Sequence, residues 1–281
     1  MKSMLSILRH HLCSDKVDWR VFAALLMGVT MCIFPVVSNY ITLSHAVGYE
    51  IQVFEPYIIA MSTSYQYVAI FLGLFLLIAE APFVSDRSTY EILRVGKRQW
   101  FTERIMYVNI MCGVYLLIMF ISCVVIAAVS GNAIWDNQWS STMSLLAERQ
   151  PQFAISEYRL FFPYPQLMSE LTPYNAATYS FLLTLLYGVM LAMVALLFNS
   201  LARWRMGVII SLGVHIVGYV INANGPLYFP QQWSPLSCAM LAYYYDDLYK
   251  MDVLITLTLF IGAWLMMWHC IRRSSYHFEL R

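Results

Sequence analysis

The sequence predicts an all-α membrane protein with six transmembrane helices and both termini in the cytoplasm. Three observations carry that expectation. Hydrophobic residues make up 60% of the 281 and charged residues only 12%, where soluble domains carry nearer a quarter charged. Six apolar stretches, approximately 21–38, 57–78, 105–128, 176–198, 206–221 and 253–269, approach the roughly 20 helical residues that cross a bilayer core of about 30 Å. The cationic residues gather on alternate connections between those stretches. Helices are expected because backbone groups cannot go unpaired in lipid, and a β-barrel would show short alternating segments instead.

The charge distribution orients the chain. Lys2, Arg9, Lys16 and Arg20 precede span one, and Arg87, Arg94, Lys97, Arg98 and Arg104 lie around the start of span three. Arg203 and Arg205 separate spans four and five, and Arg272, Arg273 and Arg281 follow span six. Only Arg149, Arg159 and Lys250 remain for the other side. The positive-inside rule therefore assigns both termini to the cytoplasm and segments 131–174 and 222–250 to the outside. The net charge of +1 conceals this asymmetry. Of six cysteines only Cys238 falls outside, so no disulfide framework is implied.

The elements follow in order. Met4, Leu5, Leu8 and Leu12 share one face, which suits an amphipathic helix in the inner interface before span one. No small-residue cleavage site follows the first apolar run, so that run is expected to be retained. Pro35 is expected to bend or end it. Span two carries Ser62, Thr63, Ser64 and Gln66 in its outer half. Polar side chains at that depth pack against other helices or face a substrate path. Glu80 at the inner end of the span is expected to pair with a nearby arginine.

Residues 85–104, SDRSTYEILRVGKRQWFTER, form the most informative stretch. Ser88 and Glu91 fit a capping box. Gly96 is suited to stop the helix with Lys97 and Arg98 beside the last carbonyls. A short helix over 88–96 is expected, with Tyr90, Leu93 and Arg94 as a mixed docking surface, and span three is expected to continue from Thr102. Segment 131–174 is aromatic and poor in charge, which argues for a compact cap. Spans four and five join through a tight hairpin at 199–205. Span five carries His215 and ends near Asn222, and a histidine at that depth is either a hydrogen-bonded packing residue or a functional one. Segment 222–250 is again aromatic, and is expected to dip partly into the membrane.

Catalytic signatures are missing from the sequence. Gly96-Lys97 lacks the earlier glycine and following hydroxyl of a phosphate loop, and HExxH, CxxC and GxSxG are not found. The neighbouring His10 and His11 would point about 100° apart on a helix, a poor metal pair. Asp246-Asp247 reads as a solvated pair. No catalytic, metal or cofactor site is expected in this chain, and no nucleic-acid partner.

Glu80, the short Tyr-Glu-containing helix closed by Gly96, and the basic-aromatic run Lys97–Arg104 together resemble the coupling region of ABC-transporter permeases of the second, exporter-type class. The resemblance extends to an interfacial helix before span one, six spans, a tight connection between spans four and five and a bulky outside segment before span six. The larger segment between spans three and four resembles permeases of bacteriocin and lantibiotic export or self-immunity systems. The resemblance implies a multi-pass protein of a bacterial plasma membrane and a second permease subunit facing this one. It also implies a separate ATP-binding subunit, holding ATP and magnesium, docked at Ser88, Tyr90, Glu91, Leu93 and Arg94. Glu80 would transmit motion to span two. Ser62, Ser64, Gln66, His215 and Asn222 would line the path of a peptide-like, lipid or drug substrate. Two other readings stand beside it: an immunity or sensor protein that needs no ATPase, and an intramembrane enzyme using His215.

Overall fold

The computed structural model describes residues 19–81, 88–149, 151–162, 164–201, 206–228, 234–245 and 253–274. The expected interfacial helix at residues 1–12, the cations Arg203 and Arg205, and Asp246-Asp247 lie outside the described residues, as does the side chain of Ser88.

Helix α1 (Trp19–Cys32) does not end at the proline of the first apolar run. It widens into a single π-turn at Ile33–Val37 and continues as α2 (Ser38–Val47). Proline has no amide hydrogen to return to the Met31 carbonyl four residues back, and the chain passes this point in the wider turn, where the Ser38 amide bonds the Ile33 carbonyl. The helix stops at Gly48, whose φ of 73° allows its amide to bond the Ser44 carbonyl at 2.8 Å.

The second apolar stretch differs from the single helix expected over 57–78. Helix α3 (Glu55–Met61) and helix α4 (Ser64–Ile78) meet at 89°. The polar cluster is the reason. The Ser62 hydroxyl donates to the Ile58 carbonyl at 2.7 Å and the Thr63 hydroxyl to the Ile59 carbonyl at 2.9 Å, which the Ser62 amide also reaches at 3.1 Å, so both hydroxyls bond carbonyls at the end of α3. Thr63 is extended, at φ −108° and ψ 113°, and α4 starts afresh from it.

Helix α5 (Ser88–Val95) is separated from α6 (Lys97–Val129) by Gly96 alone, at φ 83°. The basic segment thus runs straight into a 33-residue helix. Beyond α6 comes the cap: a two-residue parallel pairing of β1 (Ile51–Gln52) with β2 (Ala133–Ile134), then α7 (Ser141–Ser144), a π-turn at Leu145–Arg149, α8 (Pro151–Tyr158) and α9 (Pro165–Glu170). Helices α10 (Pro173–Leu201) and α11 (Met206–Tyr228) follow, then two 3₁₀ turns at Ser237–Ala239 and Leu241–Tyr245, and α12 (Val253–Ser274).

The protein is predominantly helical. Among the described residues, α6, α10, α11 and α12 are each long and apolar enough to cross a membrane, and the bent pair α3–α4 makes a fifth if counted as one span. Helix α10 is the axis of the bundle, packed against α6, α11 and α12, while α1 packs on α4. Tyr115 of α6 is wedged against the α1–α4 contact and donates to the Ile70 carbonyl at 2.6 Å. A Cβ at Gly73 would stand 2.3 Å from the Tyr115 hydroxyl and 2.8 Å from the Ala24 carbonyl, so only glycine admits this approach. A second apolar core, including Tyr40, Leu43, Ile58, Met143, Leu146 and Phe162, joins α2 and α3 to the cap. Within 131–174, Met143, Leu146, Phe162 and Leu167 share this core.

Candidate functional site

Helix α5 is fixed to the bundle by one face. The Glu91 carboxylate accepts from the Trp100 indole at 3.0 Å and from Arg104 Nη2 at 3.1 Å. Arg104 is fully buried, stacks over the Trp100 ring at 4.9 Å and also meets Glu103 at 3.4 Å. Ile92 is buried beside this clasp. The opposite face points away: Tyr90 is 76% exposed, Leu93 79%, and Arg94 is exposed. The docking residues expected from the sequence therefore divide. Tyr90, Leu93 and Arg94 are presented outward, whereas Glu91 is turned inward and holds the helix in place.

Glu80, just past the end of α4, pairs with Arg20 of α1 at 2.6 Å, so the expected arginine partner is present. Its side chain is 41% exposed, where such a pair contributes little stability. Asn199 donates to the Ala81 carbonyl at 2.7 Å and accepts from the Gly207 amide at 2.8 Å. The end of α4 is thereby tied to the α10–α11 hairpin.

The five residues expected along a substrate path are bonded within the fold. Ser62 caps α3 as described. The Gln66 amide donates to the carbonyls of Met31 and Cys32, at 2.5 and 2.7 Å, and the first of these is the acceptor that Pro35 leaves without its helical donor. Ser64 donates to Asn222 Oδ1 at 2.6 Å, and Asn222 Nδ2 donates to Ser237 at 2.8 Å. This network stitches α4 and α11 to the 3₁₀ turns. Those turns pack deep, with Leu236, Ala239 and Met240 buried and the Ala239 carbonyl 3.4 Å from the Tyr67 hydroxyl of α4. His215 is buried among Phe71, Phe75 and Tyr187, with Nδ1 2.8 Å from the Tyr187 hydroxyl.

Sequence reasoning missed Glu55. It is completely buried, yet no cation among the described residues pairs with it. Oε2 accepts from the Tyr40 hydroxyl at 2.7 Å, the Ser140 hydroxyl at 2.7 Å and the Gln52 amide at 2.9 Å, while Oε1 accepts from the Ser140 amide at 2.7 Å. Burial, and then the adjacent carboxylate, hold the Tyr40 hydroxyl well above its ordinary pKa and keep it a donor. One carboxylate thus joins α2, α3 and the cap. The available signal was a lone acid in apolar surroundings directly before Pro56.

Comparison with protein-family models, curated proteins and solved structures finds no match to this chain. Chemically, the arrangement offers an exposed amphipathic helix at one end, bonded polar contacts through the bundle and a carboxylate-centred cap at the other end. Among the described residues no group of three His, Cys, Asp or Glu side chains is placed to hold a metal ion.

Proposed function

We propose that this chain is the membrane subunit of an ATP-driven exporter, and that α5 is the docking element for a separate ATP-binding subunit. The observation that carries the reading is the division of α5 into a clasped face and a presented face. Two large apolar residues, Tyr90 and Leu93, are held in the open beside Arg94 on a helix whose other side is tied to α6. Surface patches of this kind, small and aromatic with an arginine, suit recognition by a partner protein. Force applied at α5 has a route through α6 to α1 and α10, which Glu80 and Asn199 in turn tie to the end of α4.

On this reading the chain crosses a bacterial plasma membrane six times, by α1 with its π-turn, α4, α6, α10, α11 and α12. The end bearing α5 is cytoplasmic, a second permease subunit completes the pathway, and ATP and magnesium reside in the partner. The substrate is peptide-like, lipid or drug. The test is whether an ATP-binding protein is encoded beside this chain and co-purifies with it; the absence of such a neighbour would count against the reading. Tyr90→Ala with Leu93→Ala should abolish its capture while leaving the thermal stability of the membrane chain unchanged. Undiminished capture and normal ATPase stimulation would overturn the docking role.

A further inference from the structure

A cavity of about 410 Å³ opens where α6 and α10 meet the underside of the cap. Phe54, Phe120 and Phe181 form its walls. These rings brace one another: Phe120 stacks on Phe54 at 5.7 Å and meets Phe181 at 5.6 Å, and Tyr57 supports it from behind at 4.9 Å. The hollow is therefore built from interlocked aromatics and cannot close by a simple side-chain rotation.

Its chemistry is predominantly apolar. No charged residue lines it, and its two hydroxyls are already engaged. Tyr174 donates to the Trp135 carbonyl at 2.5 Å, and Thr178 donates to the Tyr174 carbonyl at 2.8 Å. A strongly polar or charged ligand would lose more hydration here than the few polar atoms at the rim return. The mouth is marked by Leu117, which is 45% exposed. Leu117 is one of a row on α6, with Ile110, Val114, Ile121 and Val125, that faces away from the bundle at helical spacing. On a membrane-spanning helix such a row faces lipid, so the cavity opens sideways into the hydrocarbon. Trp135 and Tyr174 at its cap end are residues that favour the headgroup level.

From this geometry we infer that the cavity is a lipid site that takes one acyl chain of a membrane lipid from the surrounding leaflet, between the cap ends of α6 and α10. The volume falls within the range of roughly 300–1,000 Å³ typical of ligand pockets. The occupant is set by continuity: the lipid-facing row leads into a hollow whose surface is mainly apolar. The inference needs the bundle to sit in lipid and is independent of any ATPase partner.

The full chain, reconstituted in phosphatidylcholine nanodiscs with a trace of phosphatidylcholine bearing a diazirine along one acyl chain, provides the test. Photolysis and peptide mapping should find several-fold more label on Leu117–Phe120 and Ala177–Phe181 than on Ile110–Val114, which faces lipid without a cavity. Ala177→Phe, which fills the hollow, should bring that excess down to the flanking level and leave the flank unchanged. Thr178→Trp, at an exposed position on the rim, should act likewise if the first variant fails to fold. Equal labelling of cavity and flank, or an excess untouched by a variant that folds, would mean annular lipid only and overturn the inference. Linking of two chains through Thr178→Cys by a bifunctional maleimide would assign the hollow to a second copy and overturn it equally.

Discussion

At the scale of single residues, two carboxylates organise the ends of the molecule, and each is bound in a way that makes a definite prediction. Glu91 is the acceptor for both Trp100 and the buried Arg104. Glu91→Gln should cost about 1.5–3 kcal/mol, the range for a hydrogen bond to a charged group. The loss should fall on the seating of α5, read as faster tryptic cleavage after Arg94 with the rest of the chain protected. Unchanged cleavage would remove the clasp from the account. Glu55 makes a sharper case. The Ser140 amide faces one of its oxygens and the Gln52 amide the other. Whichever way a glutamine side chain is flipped, its NH₂ group meets a backbone N–H that cannot turn round. Glu55→Gln should therefore lower stability by roughly 1–3 kcal/mol despite its matching shape. Tyr40→Phe removes a single donor and should cost less. Thermal melting of the purified protein in detergent decides the order, and a Tyr40→Phe effect larger than that of Glu55→Gln would contradict it.

At the scale of elements, the α1–α4 contact depends on close approach. Gly73 sits where an added methyl group would press against both the Tyr115 hydroxyl and the Ala24 carbonyl. The carbonyl is backbone and cannot give way cheaply. Gly73→Ala should destabilise by about 1–3 kcal/mol, the usual cost of overpacking, even though alanine is the better helix former. An unchanged melting temperature would show that α1 and α4 can move apart freely. Several features of these elements were legible in the sequence. Gly96 ended α5 because its φ of 83° is one that glycine adopts without penalty. Glu80 found its arginine. The break between α3 and α4 was not legible as a break: Ser62-Thr63-Ser64 read as a polar face on one helix, since hydropathy reports depth and cannot distinguish a hydroxyl facing a neighbour from one capping a chain reversal. Glu91 was assigned to Ser88 and to docking because the capping pattern is local. Its bonds to Trp100 and Arg104 reach across Gly96 into the next helix.

At the scale of the whole molecule, the apolar stretches were enough to suggest a helical membrane protein, and the aromatic, charge-poor composition of 131–174 a compact cap. Neither could foresee that α2 and α3 join that segment in a shared core, because Tyr40, Ile58 and Met143 are far apart in sequence and meet only when the second stretch turns through 89°. The aromatic residues of the cap were visible as composition. That Phe54 and Phe120 would wall a cavity depends on how α6, α10 and the cap come together, which no local pattern encodes.

The central claim is that α5 receives an ATP-binding subunit on the cytoplasmic face. Its most direct measurement is site-specific photo-crosslinking in cells that express the chain together with a candidate ATP-binding subunit. A photoreactive amino acid in place of Leu93, on the presented face, should link to the ATPase. The same group in place of Asp136, exposed on the cap, should not. A product at position 93 alone is the expected result. No product at position 93, or equal products at both positions, would contradict the account.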